Sequence, residues 1–274
     1  MALWFAALLG LIQGLTEFIP VSSTAHLKIA PALFGQHISP EAYTAYIAVI
    51  QLGTLAAVLV YFARDLVGLA TAMVQAPQSH DAKLPFMLAI GTVPIVVVGL
   101  LLKHRIEHDL SSLYLIAGAL IVVGIAMAII DHYATGRLDP RPLASLTYSD
   151  ALLVGLAQSL ALCPGVSRSG ATICMALLLG FARSDAARFS FLLSIPAVAG
   201  AGILEASKAF RELGSSAAPA IAVGIGVAGV TGYAAIAWIL KWLGSHQLVG
   251  FAIYRIACGL ALLAALAAGY LQNV

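Results

Sequence analysis

Residues 13–26 read QGLTEFIPVSSTAH and residues 158–172 read QSLALCPGVSRSGAT, two short polar islands in a chain that is otherwise compatible with lipid. A charge at the centre of a bilayer-length apolar segment costs roughly 2.5 kcal/mol or more on insertion scales, so such groups are functional-site candidates by default. Each island lies between two apolar stretches too short to span comfortably, over segments 1–34 and 148–181, and is broken by Pro, Gly and hydroxyl residues. This pattern predicts re-entrant helix–loop–helix hairpins, whose irregular backbone is tolerated where protein or water surrounds it.

Outward from the islands the chain is strongly apolar. Hydrophobic residues make up 61% and charged residues 9%, against about 25% charged in soluble domains, and the mean hydropathy is +0.99. Stretches near 43–62, 84–102, 112–130, 187–207, 219–243 and 248–271 are each about long enough to cross ~30 Å of hydrocarbon as a helix. The chain therefore reads as a polytopic membrane protein. A net charge of +2 without a basic run excludes nucleic acid as a partner. Cys163, Cys174 and Cys258 lack the spacing of a metal or redox site and read as small core residues. The start, MALWFAALLGLIQGLTEF, has no basic residue before Lys28 and is interrupted by Gln13 and Glu17, so it reads as mature protein rather than a signal peptide.

Gly10-Leu-Ile-Gln13 and Gly155-Leu-Ala-Gln158 are displaced by 145 positions, and the same displacement lays Val21-Ser22 on Val166-Ser167. The expected fold is an all-α polytopic membrane protein of two inverted-topology repeats, each a re-entrant helix hairpin plus three transmembrane helices. Residues 1–274 form a single membrane domain, with repeat one 1–131, a polar linker 132–147 and repeat two 148–274. Three crossings per repeat force the second to enter from the opposite face, which brings the hairpin tips together near the midplane. Lys103, Arg105, Lys208 and Arg211 fall on one face, and Arg64, Lys83, Arg137, Arg141, Arg183, Arg188 and Lys241 on the other. The richer face is normally cytoplasmic, which favours both termini outside the cytoplasm.

In the second island, Pro164-Gly165 breaks a short helix and Ser167-Arg168-Ser169-Gly170 starts the next. A helix N-terminus beside an arginine suits an anion, most naturally phosphate. Ser167, Ser169 and Thr172 can donate to the remaining oxygens, while Gly165 and Gly170 allow close approach. Small residues alone would serve helix packing equally well; Arg168 between the serines favours the anion.

The first island is complementary. Gln13 and Glu17 share a helix face, and Ser22, Ser23, Thr24 and His26 follow Pro20 at the tip. Gln13 and Glu17 are too few to cage a hard cation alone, but with phosphate oxygens and waters they could hold Mg²⁺ or Ca²⁺. Ser23 and His26 suggest a nucleophile and its base. Alternatively His26 is the nucleophile or water activator and Ser23 a phosphate ligand. The bland readings are a hydrogen-bonded core histidine and a Glu17 paired with Lys28 or Arg168. Arg255, on the last span, reads as a structural charge held by a backbone carbonyl or by a carboxylate such as Glu205. Gln51 and Ser194 read as polar glue between helices, and the His104/His108 pair as part of a solvated loop.

Over essentially its whole length the chain resembles the integral-membrane undecaprenyl-diphosphate phosphatases of the bacitracin-resistance type. Gln13-x-x-x-Glu17 is similar to that family's (E/Q)xxxE motif, SSTAH at 22–26 to its SSTGH stretch, and PGVSRSGAT at 164–172 to its PGxSRSxxT motif. The resemblance implies hydrolysis of a C55 polyprenyl diphosphate to its monophosphate, recycling the lipid carrier for peptidoglycan. It also implies metal dependence and a site reached from the outer face of the bacterial cytoplasmic membrane. By position, catalytic roles fall on Glu17, Ser23, His26 and Arg168, the metal on Glu17 and Gln13, and the diphosphate on Ser22, Thr24, Gly165, Ser167, Ser169 and Thr172. Ala25 replaces the motif glycine, and Gln13 leaves Glu17 as the motif's single carboxylate. A homodimer stays open. The alternative function is a polyprenyl-phosphate flippase or anion transporter, which inverted repeats with broken helices would also suit.

Overall fold

A computed structural model describes residues 1–36, 38–108 and 112–273, with all their side chains except those of 103–108, 201, 203–212 and 215. Lys103, Arg105, Lys208, Arg211, Glu205 and the His104/His108 pair therefore lie outside the described side chains. The described chain is all-helical: α1 (Leu3–Phe18), α2 (Ser23–Leu33), α3 (Pro40–Tyr61), α4 (Ala63–Gln75), α5 (His80–His108), α6 (Leu113–Thr135), α7 (Tyr148–Ser159), α8 (Arg168–Leu178), α9 (Arg183–Leu213), α10 (Ala218–Leu243) and α11 (Val249–Ala267).

Among the described residues, five helices are long and apolar enough to cross a membrane: α3, α5 through Leu102, α6, α10 and α11. Each coincides with an expected span, and the sixth expected segment, 187–207, lies within α9. The helices around the islands are different in kind. At 1.5 Å per residue, the 16 residues of α1 cover about 24 Å and the 11 of α2 about 17 Å, and α7 and α8 have 12 and 11 residues. None of the four reaches across ~30 Å of hydrocarbon.

One helix had no counterpart in the sequence reading. α4 follows α3 after the single residue Phe62 and exposes Val67, Met73 and Val74 while burying Leu69. Its 13 residues are too few for a span, and no Gly or Pro marks its boundary with α3. Asp65 ties it to Arg188 of α9. The polar stretch after Asp131 also begins as helix, since α6 continues to Thr135. Asp131 is buried there and accepts from Arg183 Nε at 2.6 Å and from the Leu248 amide at 2.7 Å.

Small residues let the short helices pack closely. α1 lies on α10, where a Cβ on Gly10 would stand 2.6 Å from the Gly224 carbonyl and one on Gly14 2.7 Å from that of Ala228. α7 lies on α5, where Gly155 abuts the backbone of Gly91. α3 packs on α9 and α6 on α11. The Tyr46 hydroxyl, 3.2 Å from the Ala6 carbonyl and 3.1 Å from that of Ala220, joins α1, α3 and α10. This packing leaves the turns after α1 and before α8 facing one another.

Candidate active site

Both turns are made the same way. α1 ends at Phe18 and α2 starts at Ser23; α8 starts at Arg168. The residue before each second helix is a serine in the left-handed region, Ser22 at φ 75° and Ser167 at φ 73°, the two non-glycine residues with positive φ among those described. A non-glycine residue there costs of order 1–3 kcal/mol and persists only where its surroundings over-determine it. Gly165, at φ 96°, has to be glycine for a second reason: a Cβ would stand 2.7 Å from the Ile116 carbonyl.

Between the turns is a cavity of about 240 Å³. The first island contributes Thr16, Glu17, Ser22, Ser23 and Thr24 to its wall, and the second Cys163, Gly165, Ser167 and Arg168. Glu17 is the hub. Its Oε1 accepts from Arg168 at 2.9 Å, and its Oε2 accepts from Gln13 Nε2 at 3.0 Å and from the Ser23 hydroxyl at 2.8 Å. The Glu17 and Arg168 side chains are 9% and 12% exposed, so this pair is shielded from solvent, where its attraction is strongest. The second terminal nitrogen of Arg168, Nη1, is buried without a partner, as is Gln13 Oε1. Such groups are costly unless something fills them. One is a cationic donor and the other a neutral oxygen acceptor, so they suit an anion and a cation respectively.

The expected Ser23–His26 contact does not form. The Ser23 hydroxyl goes to Glu17, and His26 places Nδ1 2.8 Å from the Ser22 carbonyl and Nε2 2.8 Å from the Tyr254 hydroxyl, its ring stacked on Tyr254. A carbonyl only accepts, so Nδ1 carries the hydrogen, and in the neutral ring the Nε2 lone pair is filled by Tyr254. His26 lines a separate apolar cavity of about 350 Å³ with Ile29, Leu120 and Leu262. The reason is competition: the chain reversal at Pro20 brings a carboxylate, the stronger acceptor, within reach of Ser23, while α11 meets the opposite side of α2.

The other expected residues divide similarly. Ser167 caps α8, accepting from the Gly170 amide at 3.2 Å, and contacts the Ser169 hydroxyl at 3.3 Å. Ser169 and Thr172, expected on the phosphate, are off the cavity wall. Ser169 donates to the Ile19 carbonyl at 3.4 Å, joining the two turns. Thr172, fully buried, bonds its own helix and Ser190 at 2.6 Å. α8 begins at Arg168, so its first turn points only Arg168 into the gap and sends these two toward α1 and α9. Arg255 is held by backbone carbonyls at both turns. Gln51, read as interhelical glue, is on the cavity wall instead, and Ser194 bonds the Phe191 carbonyl within its own helix. Tyr254 carried no signal in the sequence, because an aromatic residue in an apolar span is ordinary.

Among the described residues no group of three or more His, Cys, Asp and Glu side chains forms a metal cluster. Glu17 and Gln13 nevertheless each carry hard oxygen, although Gln13 turns its Nε2 to the Glu17 carboxylate, leaves Oε1 without a partner and lies off the cavity wall. Oxygen is the donor Mg²⁺ and Ca²⁺ take, with the remaining positions, about four to six, left to substrate oxygens and water.

Comparison with known proteins agrees with the motifs. The family profile described as "Bacitracin resistance protein BacA" matches residues 6–261. The undecaprenyl-diphosphatase of Prosthecochloris aestuarii is 44% identical over 284 residues, covering 99% of this chain and 100% of that protein. Those of Myxococcus xanthus and Chlorobium luteolum are 46% and 47% identical, covering 99% and 98% of this chain and 92% and 99% of those proteins. The five apolar spans, the two facing turns and a match along nearly the entire length lead to one conclusion: this chain belongs to the bacitracin resistance protein BacA family.

Proposed function

We propose that this protein is an undecaprenyl-diphosphatase. It hydrolyses undecaprenyl diphosphate to undecaprenyl phosphate and inorganic phosphate, recycles the lipid carrier for peptidoglycan and other envelope polymers, and confers bacitracin resistance. The observation that carries this reading is the Ser23–Glu17–Arg168 chain across the two turns, in a family whose named members bear that activity. The flippase or transporter alternative draws no support from those relatives.

In this mechanism the diphosphate enters the cavity and the prenyl chain stays among the helices, open to lipid. Arg168 turns its unpartnered Nη1 to the phosphate oxygens, as an arginine does in stabilising the charge of phosphoryl transfer. Thr24 and the hydroxyls of Ser22 and Ser167 surround the same anion. Ser23 Oγ attacks the terminal phosphorus and its proton passes to Glu17, already at hydrogen-bond distance. The bond between phosphorus and the bridging oxygen breaks and undecaprenyl phosphate leaves. Water then attacks the phosphoserine, giving inorganic phosphate and restoring the serine. Retention of configuration at phosphorus supports the covalent step; inversion would replace it with direct attack by water activated by Glu17. His26 acts from outside the cavity by holding the Ser22 carbonyl. A Mg²⁺ or Ca²⁺ ion would be held by Glu17 and Gln13 and would supply charge neutralisation at the phosphoryl oxygens.

The fold fits two inverted repeats, 1–131 and 148–274, around the linker 132–147. Support comes from the matched Ser22 and Ser167 turns and from reciprocal packing: α1 of the first half lies on α10 of the second, and α7 of the second on α5 of the first. The reading places the protein in the bacterial inner membrane with the site opening to the outer face.

The test is phosphate release from undecaprenyl diphosphate by purified protein in detergent, with Mg²⁺ or Ca²⁺ and then with chelator, beside Arg168→Ala. Turnover that needs Arg168 supports the enzyme and its site, and loss with chelator supports the metal. Tight lipid binding with no phosphate released would sink the proposal.

A further inference from the structure

Arg255 sits in the apolar span α11 and is fully buried. Among the described residues no carboxylate lies within ion-pair distance of it, and its Nε has no partner. Its terminal nitrogens donate instead to three backbone carbonyls: Pro20 at 3.3 Å, Gly165 at 2.7 Å and Val166 at 3.0 Å. Pro20 and Gly165 are equivalent positions, separated by the same 145 residues as Ser22 and Ser167. One guanidinium thus grips the same point of both turns, two residues before each strained serine. It does not line the cavity. Carbonyl dipoles solvate a buried cation but do not neutralise it, so among the described residues the positive charge behind the floor of the anion site has no counter-charge. The planar fork matters as much as the charge, because an ammonium cannot span carbonyls that diverge in this way.

We propose that Arg255 is a positioning residue of the phosphatase: it bolts the two turns together, fixing the distance between Ser23 and Arg168, and its charge favours the diphosphate entering between them. The proposal rests on the phosphatase reading, so its test has one arm that does not depend on turnover.

In the first arm, Arg255→Lys keeps the charge but loses the fork, and kcat for undecaprenyl diphosphate falls about tenfold with KM within about threefold. Arg255→Gln loses both, and kcat falls about a hundredfold with a raised KM. The second arm reads the turns directly. Thr24→Cys and native Cys163, both on the cavity wall, are joined by a short bis-methanethiosulfonate, which releases a sulfinate at each thiol, and adding Arg255→Lys to the Thr24→Cys protein slows this crosslinking severalfold. Variants matching the wild type in kcat and KM, and the Thr24→Cys parent in crosslinking, overturn the assignment. So does activity lost only in proportion to unfolded protein, or failure of both variants to fold, either of which makes Arg255 a scaffold residue. Crosslinking of the Thr24→Cys protein that needs Arg255, beside wild-type protein that releases no phosphate, upholds the bolt and breaks the phosphatase reading instead.

Discussion

The two hairpin turns share a backbone and divide the chemistry. Ser22 and Ser167 adopt the same left-handed conformation, one residue before α2 and α8. At the flanking positions related by the same 145-residue displacement, Glu17 corresponds to Leu162, Ser23 to Arg168 and His26 to Ala171. The first turn holds the carboxylate and the hydroxyl, the second the permanent cation. Two turns of one conformation therefore supply two rigid places to put groups, and the different residues they carry are complementary. The bases of the hairpins differ as well. α7 begins with a capping box in which Thr147 accepts from the Asp150 amide and Asp150 accepts from the Thr147 amide, and Arg141 braces Asp150 at 2.7 Å. α1 begins at Leu3, and Ala2 before it supplies no side-chain cap. The second hairpin is anchored at its base, whereas the first depends on α10 and α11.

The comparison breaks first at Arg168. Arg168→Ser would make the second turn read like the first, and kcat is expected to fall about 10³-fold, the lower end for loss of an arginine in phosphoryl transfer; phosphate release reads it directly. Next come Ser23→Ala and Glu17→Gln, each expected to cost about 10²-fold or more. The double variant falls no further than the worse single one, since the two groups act as a unit. Additive losses would separate Glu17 from the Ser23 proton. Tyr254→Phe removes the hydroxyl from His26 Nε2, worth about 1 kcal/mol, and is expected to lower kcat about fivefold. A loss as deep as that of Ser23→Ala would return His26 to the chemistry.

The smaller effects are on stability. Ser22 makes no side-chain cap bond, whereas Ser167 caps α8. Ser22→Gly relieves strain at no cost in capping, and Ser167→Gly gives back a few tenths of a kcal/mol of cap. Thermal unfolding should rank Ser22→Gly above Ser167→Gly by that margin. The smallest effect is expected at Asp150, outside the spanning helices. Burial alone would raise its pKa, but hydrogen bonds from Arg141 and Thr147 prevail and hold the carboxyl below its ordinary value. A depressed folded-state pKa contributes stability above the unfolded value, near 3.9, and loses it as pH falls through the folded one. Asp150→Asn should therefore melt lower than wild type at neutral pH, and the gap should close in acid. A gap independent of pH would mean that the Asp150 charge contributes nothing.

Much of the architecture was legible because hydropathy and chain length are local quantities. The spans over α3, α5, α6, α10 and α11 follow from the length of uninterrupted apolar sequence. Pro20 and Pro164-Gly165 marked both turns, since proline and glycine restrict or free the backbone whatever surrounds them. α4 escaped notice because 13 amphipathic residues adjoining a span produce neither a span-length run nor a breaker. The candidate site was legible as a set of residues but not as a set of bonds. Ser23 and His26, Ser169 and Thr172 sit at spacings that allow a shared ligand, yet three of the four turn away.

By itself the sequence determined that this is a membrane protein, where its polar islands lie, and which family's motifs they carry, because each of these depends on residues close together in the chain. Only the tertiary structure decided which groups meet. Arg168 reaches Glu17 across 151 positions, His26 reaches Tyr254 across 228, and Arg255 reaches Pro20 across 235. A buried hydroxyl, imidazole or guanidinium takes whichever competing partner the packing brings nearest, and that competition is settled between helices far apart in sequence.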